Sequence, residues 1–325
     1  MKRRTLLATA LLPGLATALL PGLARAQAPA WPDRPVRIII PFPAGGPTDV
    51  AVRLLAEALG RQLPQRVLVE NRPGAGSLLG TEVVAKGPRD GSVFLTATVA
   101  HAVNPALYAR LPYDPERDFR GVGLIGTVPL LVVVPQSSPV KDLPDLLVML
   151  RERPGGHDYG SAGNGSAQHI GAELLKSMAG VQANHIPYRG NPTALTDLAA
   201  GRLAFVIESM ATTLPQVRGG TLRALAVTAP ARVKLAPEVP AVAETLPGYS
   251  AWTWNAILAP SGVPEEAVTG MSAAMNAVLP GLVPRLEGLG LDPKPGLSPA
   301  EVDGFIAAES AKWQGLMRAA GIRAD

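Results

Sequence analysis

Short apolar runs of strand length alternate with segments of helical period along most of this 325-residue chain, and that alternation restricts the fold more than any other feature. "VRIII" (36–40) passes through "PFPAGGPT" into a helix starting near Pro47, where Ala51, Leu54, Leu55, Ala58 and Leu59 form one stripe. "RVLVE" (66–70) leads through "NRPGAGS" to a helix around 77–86, and "VFLTATV" (93–99) follows. "GVGLIGTVPLLVVVP" (121–135) is split by Pro129 and reads as two buried strands. Beyond it the rhythm restarts, with strands expected at 157–162, 183–188, 203–208 and 222–228 and helices at 141–152, 166–179 and 191–201. Strands feeding helices in this order predict parallel sheets covered by helices on both faces.

The last part of the chain differs. After "AWTWNAILAP" (251–260) come three helical stretches, near 264–279, 281–289 and 298–320. A terminal helical segment has to pack on something, and the simplest arrangement returns it to the first domain. The expected architecture is two α/β lobes joined by crossing strands, each a mostly parallel sheet flanked by helices. Residues 27–128 with 251–325 form one lobe and 129–250 the other. Trp252 and Trp254 alternate on a strand, share a face, and are expected to pack at the junction.

The N-terminus carries its own message. A basic start (MKRR), an apolar stretch and the small-residue site Ala24-Arg25-Ala26 predict an export signal cut before Gln27. Its apolar part holds a tandem copy, ATALLPGL at 8–15 and again at 16–23, interrupted by Pro13, Gly14, Pro21 and Gly22. Arg3-Arg4 also admits a twin-arginine (Tat) signal beside the general secretory (Sec) route. The leader holds Lys2, Arg3, Arg4 and Arg25 and no acid, so the mature chain balances 26 basic against 26 acidic residues. The basic excess belongs to the leader and gives no reason to expect nucleic acid or an anionic membrane as partner. No later run of about 18 apolar residues is expected, which predicts a soluble mature chain. Cysteine is absent, so disulfides, thiol chemistry and a lipidated N-terminal cysteine are excluded. An exported chain without disulfides fits a bacterial periplasm.

Three segments repeat one local design: strand, glycine or polar turn, helix start. The first is "PFPAGGPTDVAVRLLAEAL" (41–59). The second is "YGSAGNGSAQHIGAELL" (159–175), with Ser166 placed to cap and His169 in the first turn. The third is "PYRGNPTALTDL" (187–198), where Asn191 caps and Pro192 suits the first helical position. Helix starts leave N–H groups unpaired and carry partial positive charge, which favours carboxylates and phosphates. Bland roles stay open beside this one. Gly45 and Gly46 can simply relieve a turn, and Asp49 can complement the dipole, tie loops together or meet a ligand amine or hydroxyl. His169 lies off the Ile170/Leu174/Leu175/Met178 stripe, which favours capping or ligand contact over the core. His101 reads as structural, and Arg189 either pairs with a ligand carboxylate or stays on the surface.

Enzyme readings find little support. His101, His157, His169 and His185 show no metal spacing. There is no G-x-S-x-G elbow, no Walker lysine, and "GAGSLLG" (74–80) lacks the dinucleotide spacing. No metal or cofactor is expected. The best catalytic pairing, Ser166 with His169 in a periplasmic hydrolase, has no third group to orient the histidine.

The same segments resemble the Bug-type extracytoplasmic solute receptors, the TctC-like binding proteins of tripartite tricarboxylate transporters. The likeness begins in "PFPAGGPTDVAVRLLAEALGRQLPQRVLVENRPGAGSLLGTEVVAK". It continues in "HAVNPALYARLPYDPERDF", "YGSAGNGSAQHIGAELLKSMAGV", "HIPYRGNPTALTDLAAGRLAFVIE", "LRALAVTAPAR" and "WNAILAPSGVP". The resemblance implies two α/β lobes of the periplasmic-binding-protein type (type II-like), closing like a flytrap on a small carboxylate. The implied ligands are di- or tricarboxylates, amino acids or aromatic acids, and a two-component membrane permease is the implied partner of a monomeric receptor. A ligand sensor for a two-component system is the alternative. By motif match, ligand contact is expected at Phe42, Ala44, Gly45, Gly46, Thr48 and Asp49, and at His101 and Asn104. From the second lobe come Ser161, Gly163, Asn164, Gly165, Ser166 and His169, with Tyr188, Arg189 and Gly190 beside them. Two departures matter: Glu208 stands where the family commonly has aspartate and is expected to alter the selective end of the pocket, and Ala256 replaces a common glycine.

Overall fold

The computed structural model describes residues 31–188 and 191–319; the expected leader, Arg189, Gly190 and residues 320–325 lie outside them. The first elements are β1 (Val36–Ile40), α1 (Pro47–Gln62), β2 (Val67–Asn71), α2 (Leu78–Ala85), β3 (Val93–Ala97) and α3 (Val99–Leu107). The long strand β4 (Phe119–Pro135) follows, then α4 (Leu143–Glu152), β5 (Asp158–Ser161), α5 (Ala167–Ala179), β6 (Asn184–Pro187) and α6 (Asn191–Ala199). Next come β7 (Phe205–Ser209), α7 (Met210–Arg218), β8 (Leu222–Val227) and α8 (Val242–Thr245). The chain closes with β9 (Trp252–Pro260), α9 (Glu265–Gly288), β10 (Asp292–Pro293) and α10 (Pro299–Ala319).

Helix boundaries follow local chemistry. Asp142 accepts the Asp145 N–H at the start of α4, Thr98 accepts the Ala100 N–H at α3, and Ser166 accepts the His169 N–H at α5. α5 stops at Gly180, whose φ of +63° is left-handed. α1 is different: proline occupies its first turn and no side chain caps it.

The strands follow the order β2-β1-β3-β9-β4-β7-β5-β6, with β8 and β10 each pairing with β4. The ladders β1–β2, β1–β3, β5–β6 and β5–β7 are parallel. Those joining β3 to β9, β9 to β4, and β4 to β7 and β8 are antiparallel. The sheets are therefore mixed, which corrects the mostly parallel expectation. Helical crossovers make the outer ladders parallel. β4, the strand that runs through both sheets, is antiparallel to each of its neighbours.

β4 is also one strand, not two. Pro129 is its last residue opposite β9, at Trp252, and Leu130 is the first opposite β7, at Ser209. The proline thus falls where the strand changes partners, and the next N–H, that of Leu130, goes sideways to Thr228 Oγ1 at 2.9 Å. Similarly, α9 runs unbroken through Pro280 and Pro284, where two helical stretches were expected. The prolines are four apart, so the carbonyl of Pro280 is the acceptor Pro284 has no N–H to use, while buried Leu279, Leu282 and Leu286 hold the helix down. α9 is long and apolar enough to cross a membrane by length and composition, correcting the expectation that no such stretch follows the leader. Its Val268, Met271 and Met275 are instead buried in a core shared with Leu55 and Leu59 of α1.

A larger core spans both halves, joining Ile39 and Leu95 of the first sheet to Val132, Tyr159 and Phe205 of the second. Trp252 and Trp254 both meet α10 beside the partner change in β4. Trp254 Nε1 and Trp313 Nε1 donate to the same carboxylate oxygen, Glu309 Oε2, at 3.2 and 2.9 Å. Lys312 Nζ lies 5.2 Å from the Trp252 ring centre and 4.4 Å from that of Trp313.

Candidate functional site

The turn between β1 and α1 is built around Asp49. Its Oδ2 accepts the Gly45 N–H and Arg53 Nε, both at 2.9 Å, and its Oδ1 accepts Asn71 Nδ2 at 2.8 Å. Asn71 also donates to the Phe42 carbonyl at 3.1 Å. Burial alone would raise the Asp49 carboxyl; the hydrogen bonds from Arg53, Gly45 and Asn71 overcome that and hold it below the usual range. Asp49 therefore ties the loop together, and the Gly45 N–H is spent on it. Gly45 takes a left-handed φ of +82°. Ala44 and Gly45 are exposed, while Phe42, Gly46 and Thr48 are partly so. With no side-chain cap on α1, its first-turn N–H groups are the donors the loop can offer a ligand. Thr48 Oγ1 donates to Asn255 Oδ1 of β9 at 3.0 Å, fixing this helix start at the first residues of the crossing strand.

The second loop, between β5 and α5, is cross-braced by two hydroxyls and two imidazoles. Ser166 Oγ donates to the Gly163 carbonyl at 2.7 Å, and Ser161 Oγ accepts the Gly163 N–H at 3.0 Å. Ser161 Oγ also lies 2.6 Å from His185 Nε2. The Gly165 N–H donates to His169 Nδ1 at 3.1 Å. Gly163 and Gly165 have φ of +119° and +74°, which only glycine adopts freely. Asn164 is the exposed tip. His169 is buried despite lying off the helical stripe, because β6 brings His185 over it, with ring centres 4.1 Å apart. Desolvation pushes His169 down to about 4 and His185 down to about 3, so both are neutral near pH 7. The Ser166–His169 pair makes a helix cap and a loop brace. Ser166 gives its proton to a carbonyl and His169 Nδ1 receives an amide, an arrangement with no activated nucleophile.

The helices that the two loops open, α1 and α5, both reach the start of β9. Thr48 reaches Asn255 from one side, and Gly171 of α5 packs against the Ala251 methyl from the other. Leu107, ending α3, abuts Gly165 so closely that a Cβ there would overlap its Cδ1.

Other expected contacts have different work. His101 is buried between Tyr113, stacked at 6.4 Å, and Phe119, edge-on at 5.1 Å, with Nε2 3.1 Å from the Pro115 carbonyl. Burial pushes it down to about 4. The ring is thus held in an aromatic cage, as its isolated sequence position indicates, with Nδ1 buried and without a partner among the described residues. Asn104 is likewise buried and donates to the Gly76 carbonyl at 3.3 Å and to Ser77 Oγ at 3.2 Å. It braces a turn in which Ala75 and Ser77, neither a glycine, hold positive φ of 45° and 83°. Its amide is thus a brace of that turn. The Tyr188 hydroxyl donates to Asp197 Oδ2 at 2.7 Å, leaving its backbone as the part beside Gly163. Arg189 and Gly190 lie outside the described residues. Glu208 is 1% exposed and accepts Gln168 Nε2 at 3.1 Å and the Ser209 N–H at 2.6 Å. Burial raises it to about 7 in spite of those bonds. Ala256 is buried where β4 shifts register against β9. The partners that sequence reading passed over are Asn71, Gln168, His185 and Asn255. Each is distant in sequence from the residue it bonds, Gln168 included, which adjoins the expected His169 but reaches Glu208.

Residues 51–322 match the model of the TctC family, described as the tripartite tricarboxylate transporter family receptor. A Pseudomonas sp. (strain P51) protein of the tcbD-tcbE intergenic region is 36% identical over 292 residues, covering 89% of this chain and 87% of that one. The solved structure of an R. palustris protein with adipate shares 37% identity at a TM-score of 0.82, covering 90% of this chain and 99% of that one. MatC from Rhodopseudomonas palustris with bound malate shares 29% identity at a TM-score of 0.79, covering 88% and 99%. The fold is therefore the two-lobed α/β arrangement of periplasmic binding proteins, and the matched family is one of receptors, not enzymes.

Proposed function

The chain belongs to the tripartite tricarboxylate transporter receptor family, and from that premise we propose that it captures a small organic acid between its two lobes and delivers it to a two-component membrane permease. The observation that carries this reading is the convergence on the start of β9. The uncapped start of α1 from one half reaches Asn255, and α5 from the other reaches Ala251, while the braced glycine loop that opens α5 abuts Leu107 of the first half. A carboxylate held by the first-turn amides of α1 and by the tip of the second loop touches both halves at once. Such a ligand binds the closed state better than the open one and so drives closure. The lobes divide at 128/129 and 250/251, at the partner change in β4 and just before β9, and the receptor works as a monomer in the periplasm. Adipate and malate, the acids named with the R. palustris relatives, define dicarboxylates as the first class to test.

Calorimetric titration of the purified mature protein with adipate, malate, citrate, glutamate and benzoate tests the reading. Saturable binding of at least one acid is expected. Absence of binding to all of them, with no carboxylate released from the freshly purified, denatured protein in mass spectrometry, overturns it.

A further inference from the structure

His185 was not among the expected contacts, yet its ring touches both fastenings of the second loop. It stands on β6 directly opposite Tyr159 in the parallel register with β5. Its ring lies between that tyrosine, 5.0 Å away, and His169, 4.1 Å away, stacked against both within 21° of parallel. Through Nε2 it meets Ser161 Oγ, the hydroxyl that receives the Gly163 N–H. Through its face it fixes the plane of His169, whose Nδ1 receives the Gly165 N–H.

Resting on the receptor function proposed above, we infer that His185 is the positioning residue of the ligand loop, holding Gly163 through Ser161 and Gly165 through His169. The two fastenings use different properties of one ring. The first is a hydrogen bond at its edge, the second a stack on its face. Tautomer logic agrees. With the proton on His185 Nε2 donated to Ser161, the Ser161 hydroxyl keeps its own proton for the Gly163 carbonyl, 3.2 Å away. His169 must keep Nδ1 bare to accept Gly165, and desolvation keeps both rings neutral. The groups facing the pair are Tyr159, Glu173 and Lys176. The Tyr159 hydroxyl and Lys176 Nζ both reach Glu173 Oε1, at 2.5 Å each, so the nearest carboxylate is committed elsewhere. Fixing Gly163 and Gly165 sets the direction of the amides between and after them, and pre-set donors bind an anion without first giving up loop entropy.

The two attachments come apart by substitution. In the ligand-free mature protein, amide exchange read by NMR is expected to quicken about tenfold at Gly163 but not Gly165 in His185→Phe, which keeps the stack and loses the edge bond. His185→Gln, which offers an amide to Ser161 without a ring, is expected to protect Gly163 and release Gly165. His185→Ala releases both and weakens adipate or malate binding about tenfold. Equal protection of both amides in His185→Ala, quickening spread evenly over the second half, or unchanged affinity in a variant that binds overturns the inference. If the wild type binds no acid, the receptor reading fails separately and the exchange pattern still decides the role of His185.

Discussion

Gly165 sits where two independent costs meet, and a paired substitution separates them. Its φ is +74°, and a Cβ built on it overlaps Cδ1 of Leu107, a side chain 2% exposed and without room to swing away. Gly180, at the end of α5, has φ +63°, but a Cβ added there would meet no atom within 4 Å. Gly180→Ala therefore carries conformational strain alone, roughly 1 kcal/mol. Gly165→Ala carries that strain and an overpacking cost of about 1–3 kcal/mol, for roughly 2–4 kcal/mol in all. In a domain of this size each kcal/mol moves the melting temperature by about 2–4 °C. Scanning calorimetry is expected to show a drop of roughly 2–4 °C for Gly180→Ala and roughly 4–16 °C for Gly165→Ala. Because Leu107 belongs to one half and Gly165 to the other, the steric share also resists their approach, so affinity for a binding acid falls in Gly165→Ala and holds in Gly180→Ala. Equal melting shifts for the two variants, or a shift in Gly165→Ala no larger than strain alone provides, would refute the argument that Leu107 closes on this loop.

Two further substitutions probe buried acids. The folded-state value of about 7 for Glu208 lies above its ordinary 4.5, so the folded protein keeps a proton that the unfolded chain releases between those values. Stability from this group is greatest at or below about pH 4.5, falls as pH rises to about 7 and is level above, a change on the order of 3 kcal/mol. Glu208→Gln is expected to flatten that slope in urea titrations at pH 5 and 8; parallel curves for wild type and variant would show that another group titrates. Glu309→Ala strips one acceptor from both Trp254 and Trp313. It is expected to cost about 2–5 kcal/mol and to alter the near-ultraviolet circular dichroism of the indoles, whereas an unchanged spectrum and midpoint would mean that the shared carboxylate is not holding them.

What the sequence made legible was local. Strand-to-helix alternation placed β1, α1, β5 and α5 within a residue or two, because periodicity and capping are read over a few neighbours. Ser166 was identified as a cap from its position alone and is one. Long-range pairing was harder to see. Pro129 looked like a strand end because nothing nearby reveals that the strand exchanges partners there. Pro280 and Pro284 looked like helix stops because the burial that outweighs them comes from another part of the chain. The site shows the same division. Its glycine loops and helix starts are contiguous motifs and were found, whereas Asn71, His185 and Asn255 act from 22, 24 and 207 residues away from Asp49, Ser161 and Thr48. The resemblance implies ligand contact at His101 and Asn104, and nothing adjacent in sequence shows the aromatic cage and the strained turn that they also hold.

The 17-residue length of β4 has a consequence for how the molecule comes apart. One strand supplies the inner rungs of both sheets, and a single core runs beneath it from Ile39 to Phe205. Cutting the chain between the lobes would strip an interior strand from whichever fragment lost it. The lobes are consequently poor modules: neither is expected to survive as a free-standing fragment, and heat should melt them in one transition. Recombination between relatives should succeed at loop boundaries on either side of β4 and fail within it. The opening and closing proposed above would then bend one shared beam rather than swing two separate bodies on a tether.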